Sequence, residues 1–158
     1  YRVHTTADIY RSSHIDSTVL CLRPGLVLLN GARVNPQNCP KIFERWDKIY
    51  FTDIQPTPQK TLEFHDNVRK KIYDALVTLG IETDIDHLAS EWIGMNVLSV
   101  DPETVIVDER QTALIKTLEA HRLKPIPIRL RHSHLMKGGI HCSTLDTVRD
   151  GQLESYVD

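Results

Sequence analysis

Residues 18–30 read T-V-L-C-L-R-P-G-L-V-L-L-N. Two runs of β-branched residues and leucine flank Arg23-Pro24-Gly25, a turn signal in which proline presets one backbone angle and glycine frees the next. The stretch predicts a β-hairpin. Residues 96–109 read N-V-L-S-V-D-P-E-T-V-I-V-D-E, again two β-prone runs, now around Asp101-Pro102-Glu103. Aligning Val19 with Val97 also aligns Pro24 with Pro102.

The segment after each hairpin repeats as well. Pro40 to Trp46 predicts a short helix with proline at its start, and Lys48 to Thr52 a third strand. In the second copy, Leu114, Ile115 and Leu118 give Gln111 to His121 an apolar stripe at helical spacing. Lys124 to Arg131 then carries two prolines, which suit a sheet edge or a strand start. Strand–strand–helix–strand therefore occurs twice, which sets the class as α/β. A unit that cannot bury its own faces calls for neighbours, and two units are few. The chain also opens at Tyr1, with Tyr1, Val3 and Thr5 alternating with polar residues as in a strand already under way. Both features read as a chain entered in mid-protein.

Between the copies, Phe64, Val68, Ile72, Leu76 and Leu79 fall three or four apart within Thr61 to Gly80. This is an amphipathic helix that stops at Gly80, with its stripe expected to pack. Gln55-Pro-Thr-Pro58 ahead of it reads as a loop.

The bulk numbers exclude several classes. With 158 residues the chain is expected to form a single domain over 1–158 with a real core. A net charge of -2 without long runs of one sign argues against a nucleic-acid partner or a basic membrane face. Three widely spaced cysteines, Cys21, Cys39 and Cys142, favour a reducing, cytoplasmic setting over a disulfide framework. Cys21 and Cys39 are expected to be small buried hydrophobes.

Polar clusters occupy matching places. Ser13-His14-Ile15-Asp16 precedes the first hairpin and Ser90-Glu-Trp-Ile-Gly-Met-Asn96 the second. His141-Cys142 stands where a third unit would begin. If such units form a ring, the three loops face one axis, so His14, Ser90 and Cys142 are expected to meet. A thiol near pKa 8.5 needs an imidazolium or backbone N–H donors to become a nucleophile. Gly138-Gly139 is expected to let the backbone turn tightly beside the sulfur. His14 could pair with the thiolate and then protonate a leaving group. Asp16 points the same way as His14 if the segment is extended, and could hold a cationic substrate. The nearest rival places His132, His134, His141 and Cys142 around zinc, but their spacing matches no common structural zinc pattern. Arg129 and Arg131 read as strand-surface charges, and Met95 as packing.

Five segments together carry a resemblance: H-I-D-S-T (14–18), R-P-G-L-V-L-L-N (23–30), W-I-G-M-N-V-L (92–98), G-G-I-H-C-S-T-L-D (138–146) and L-E-S-Y-V-D (153–158). The chain resembles the C-terminal part of the arginine:glycine and inosamine-phosphate amidinotransferases, a group that includes those of the saxitoxin and cylindrospermopsin pathways. The resemblance implies a pentein-type five-module α/β propeller of ββαβ repeats, of which this chain would be an incomplete C-terminal portion. It implies ping-pong transfer of the amidino group of L-arginine to an acceptor amine through an amidino-cysteine, without metal or organic cofactor, in natural-product biosynthesis. Cys142 matches the nucleophile, His14 the acid/base and Asp16 the guanidinium-binding carboxylate. Arg33 falls where the family binds the substrate carboxylate, and Ser90 where a serine contacts the same end of arginine. A homodimer is the oligomeric expectation.

The sequence departs from the family pattern at two places. Lys137 replaces the first of three glycines and Ile140 the aromatic before His-Cys, so a differently shaped loop is expected. The carboxylate that orients the histidine lies well upstream in the family, and Asp8, the sole carboxylate before His14, does not occupy its position. That carboxylate is expected upstream of Tyr1. A guanidine hydrolase of the same superfamily and a non-catalytic guanidino-binding protein stay open as alternatives.

Overall fold

The computed structural model describes residues 4–6, 9, 15–82 and 89–148. Strand β1 (Val19–Arg23) turns at Pro24-Gly25 into β2 (Leu26–Asn30). Gly25 has φ +79, the left-handed value that a tight turn after proline demands and that glycine takes without strain. The second hairpin joins a short β4 (Leu98–Ser99) to β5 (Thr104–Asp108). Here the Asp101 carboxylate caps the turn, accepting from the N–H groups of Glu103 (2.7 Å) and Thr104 (2.8 Å).

Each hairpin acquires a third, parallel strand. β3 (Asp47–Phe51) lies beside β2 with Leu26 opposite Asp47, and β6 (Lys124–Ile128) beside β5 with Thr104 opposite Lys124. The two sheets run β1-β2-β3 and β4-β5-β6. β6 is an edge strand and its prolines stand opposite Val105 and Val107, where a missing N–H leaves no central ladder broken.

The connections differ. In the second unit β5 leads to β6 through α2 (Thr112–Ala120), which buries Leu114 and Leu118. In the first, the helix expected over 40–46 is one 3₁₀ turn, Lys41–Phe43, after Pro40. Its one buried residue, Phe43, sets its ring edge-on to Trp46 at 5.2 Å. Seven residues ending in a strand leave no room for the two or three turns an independent apolar stripe needs.

β2 is the centre of the molecule, with all five residues buried. One face (Leu26, Leu28) joins Leu20, Leu22, Ile49, Phe51 and the second unit's Met95, Val97, Val105, Val107, Leu114 and Leu118. Its other face (Val27, Leu29) packs on Val34, Phe43 and Ile9. The first cluster spans both sheets, so the two units share one core. Met95 is packing, 1% exposed.

Three expectations need correction. Cys21 is exposed, because the alternation of β1 turns Leu20 and Leu22 inward and Cys21 outward. Helix α1 (Gln59–Thr78) ends as the glycine signal requires: Gly80 has φ +70, and the N–H groups of Gly80 and Ile81 close onto the carbonyls of Val77 and Leu76. Its apolar stripe, however, is not packed among the described residues: Phe64 is 57% exposed and Leu79 73%. The residue α1 buries is His65, whose Nε2 lies 3.0 Å from the Arg131 carbonyl. Helical spacing specifies a face and carries no information on what covers it. At the start, His4 to Thr6 form no strand, while Tyr1 and Val3 lie outside the described residues. Among the described residues no helix is long and apolar enough to cross a membrane.

Candidate active site

Three short segments converge. The first is the 3₁₀ turn Ile15–Ser17 ahead of β1, the second the 3₁₀ turn Glu91–Met95 with Asn96 after it, and the third the 3₁₀ turn His141–Ser143. Each sits just before a strand or where a further unit would start, and buried flanks hold the first two: Ser17 and Thr18 on one side, Met95 to Val97 on the other.

Cys142 is at the meeting point. Its Sγ–H donates to Asp16 Oδ2 at 3.1 Å, and Asn96 Nδ2 donates to the same sulfur at 3.3 Å. The Cys142 N–H donates to Asn96 Oδ1 at 3.0 Å. His141 Nδ1 lies 3.0 Å from the same Asp16 oxygen, and since a carboxylate only accepts, Nδ1 carries the proton in this pair. The other oxygen, Asp16 Oδ1, is buried with no hydrogen-bond partner among the described residues. A buried carboxylate oxygen left unpaired costs stability and calls for an explanation.

The electrostatics arise from this packing. Partial desolvation of the Cys142 sulfur and its bond to Asp16 push the thiol up, more than the Gly139 backbone and Asn96 pull it down. Burial pushes the Asp16 carboxyl up, yet hydrogen bonds from Cys142, Asn96 and His141 outweigh this and leave it below the usual carboxylate range. Both directions favour a thiol beside a carboxylate.

The two glycines serve space rather than turning. Neither has a positive φ. A Cβ on Gly139 would stand 2.4 Å from the Asn96 side chain, and one on Gly138 3.2 Å from Cys142 Cβ. The left-handed residue is Lys137 (φ +55), which ends α3 (Ser133–Met136) where the resemblance places a glycine. Left-handed backbone costs a side-chain-bearing residue about 1–2 kcal/mol. Ile140, in the place of the aromatic, is buried, 4% exposed.

Of the other predicted residues, His14 lies outside the described residues. Asp16 reaches Cys142, although from a 3₁₀ turn rather than the extended segment assumed from its spacing. Arg33 is bound to the segment just after Asp16, donating to Thr18 Oγ1 at 2.7 Å and to Ser17 Oγ at 3.4 Å. Ser90 is exposed and caps the 3₁₀ turn 91–95, accepting from Trp92 N–H at 3.3 Å. The residue at the other end of that turn, Asn96, is the one whose side chain bonds Cys142. Sequence reading passed over Asn96; its signal was a polar residue at the position aligned with Thr18. The zinc grouping does not assemble: His134 is buried against Thr57 Oγ1, His141 pairs with Asp16, and no metal-binding cluster forms among the described residues.

Among the described residues, a thiol, a carboxylate and a carboxamide thus meet at one point. No protein-family model matches the chain. Over 156 residues, 99% of its length, it is 42% identical to "Inosamine-phosphate amidinotransferase 1" of Streptomyces glaucescens, and it covers 38% of that protein. It is 30% identical over 158 residues to the L-arginine:L-lysine amidinotransferase of Pseudomonas savastanoi pv. phaseolicola, covering 36% of it. The solved inosamine-phosphate amidinotransferase StrB1 from Streptomyces griseus superposes with a TM-score of 0.74 at 40% identity, over 99% of this chain and 38% of that one. The chain is thus a homologue of the amidinotransferases and spans little more than a third of the length of the relatives it matches.

Proposed function

We propose that the complete protein is an amidinotransferase that takes the amidino group of L-arginine onto Cys142 and passes it to an acceptor amine. The observation that carries this reading is the 3.1 Å contact between the Cys142 sulfur and the Asp16 carboxylate, with Asp16 Oδ1 buried and open. A guanidinium is planar and cationic, and its N–H fork matches a carboxylate edge. Seated on Asp16, it brings its central carbon to the sulfur. It also neutralises the anion that holds the thiol protonated, so the substrate itself favours the thiolate it needs.

The thiolate then forms an S–C bond to the guanidino carbon. The C–N bond to the substrate's δ-nitrogen breaks, and ornithine leaves as that nitrogen takes up a proton. The acceptor amine, having lost a proton, attacks the same carbon, and the S–C bond returns its electron pair to sulfur. His14, two positions before Asp16, is proposed as the group that gives and takes these protons. Arg33 is proposed to bind the substrate carboxylate. Ser90, which the same resemblance assigns to that end, is proposed as the weaker partner, since its hydroxyl already accepts from Trp92 N–H. A five-module propeller of which this chain is a part, a homodimer and a cytoplasmic setting belong to the same proposal. So does a role in secondary metabolism, which the acceptor's identity would decide.

The test is ornithine release by the complete protein from L-arginine, with and without candidate amines. Turnover that requires an amine supports transfer. Sustained turnover without any amine, water resolving the intermediate, would replace transfer with hydrolysis.

A further inference from the structure

Asn96 makes more contacts to the nucleophile loop than its position in a strand approach requires. Its backbone carbonyl accepts from Ile140 N–H at 3.1 Å, its Oδ1 from Cys142 N–H at 3.0 Å, and its Nδ2 donates to Cys142 Sγ at 3.3 Å. The residue is 2% exposed. Gly139 lies so close that any β-carbon there would displace the carboxamide. The Oδ1 and carbonyl bonds suffice to hold the loop. The Nδ2 bond does something else. A neutral thiol is a weak acceptor, a poor partner for a buried amide donor. The same contact becomes a charge-assisted hydrogen bond once the sulfur ionises.

We propose that Asn96 stabilises the anionic sulfur of Cys142 through Nδ2–H while its Oδ1 fixes the loop, making it a working residue of the nucleophile and not only a brace. The other charged or titratable groups facing the sulfur among the described residues are Asp16 from the turn 15–17 and His141 from the sulfur's own turn. Among the described residues, Asp16 opposes ionisation and the Asn96 side chain favours it. The inference rests on reading Cys142 as the nucleophile.

The experiment uses the complete protein and iodoacetamide, a neutral reagent that needs no amidino chemistry. Labelling of Cys142, located by peptide mass spectrometry, is followed over about pH 6 to 10. Loss of one charge-assisted bond should raise the labelling midpoint of Asn96→Leu and Asn96→Ala by about one pH unit, roughly tenfold slower labelling below it. An asparagine that only braces would lower the melting temperature and leave the midpoint in place, and that result would overturn the proposal. In the unmodified protein, the Asn96 side-chain amide resonances should titrate with the same midpoint as labelling, which keeps the test alive if neither variant folds. Flat resonances would refute it. A raised midpoint in a protein that transfers no amidino group leaves this inference standing and removes the functional reading. Transfer with an unmoved midpoint does the reverse.

Discussion

The two units share a frame and differ in what they hang on it. In both, a buried polar side chain ends the second strand and folds back on the N–H two residues on: Asn30 Oδ1 accepts from Ala32 at 3.0 Å, Asp108 Oδ1 from Arg110 at 3.1 Å. In both, the residue after that strand donates to the third strand's last carbonyl, Gly31 to Phe51 and Glu109 to Ile128. Both third strands also begin on the turn of their hairpin, Asp47 N–H on Gly25 and Lys124 N–H on Glu103. The divergence comes at the aligned position just ahead of the first strand. Thr18, wholly buried, uses its hydroxyl to hold Arg33. Asn96, its aligned counterpart, holds Cys142. One structural position anchors an arginine in one unit and a cysteine loop in the other.

Core substitutions should separate the units most strongly. Leu28 is fully buried in a strand covered on both faces, whereas its counterpart Ile106 is half-buried. Leu28→Ala should cost about 2–5 kcal/mol of stability, with Ile106→Ala costing clearly less. Equal losses in denaturant titrations would break the claim that β2 is the centre of the molecule.

Thr18→Val keeps the shape and removes the acceptor of a charged donor. It should cost about 1–2 kcal/mol while leaving the pH midpoint of Cys142 labelling where it is. A shift as large as that of the Asn96 variants would erase the division of roles between the two positions.

The smallest effect concerns acid stability. Burial, the largest influence, pushes the His134 imidazole down. Below about pH 6.5 the unfolded chain gains a proton that the folded chain resists, so stability falls as pH drops from there towards the depressed folded value. His134→Gln should flatten that part of the melting-temperature profile. An unchanged slope would show that other groups dominate.

The repeat was legible because its signals are local. Pro24-Gly25, the apolar stripe of α2 and the prolines of β6 each come from backbone sterics or periodicity within a few residues. The first crossover was misread because proline followed by apolar residues fits a 3₁₀ turn as well as a short helix. The stripe on α1 was read correctly as a face, but nothing in spacing names its partner. In the site, Cys142 and Asp16 were singled out from residue chemistry and resemblance, and the structure brings the two side chains together. Asn96 was not, because an asparagine before a strand is ordinary until a loop 46 positions away closes on it. Gly138 and Gly139 were noticed for the wrong reason, since their need is space against Asn96 and Cys142, and that is visible only in three dimensions.

The most direct test of this chemistry is the intact mass of the complete protein after incubation with L-arginine, every amine acceptor excluded. One amidino group should be added, on Cys142, with one ornithine released, and Cys142→Ala should show neither. An unchanged mass in a preparation that transfers normally once an acceptor is supplied would contradict the covalent role of Cys142.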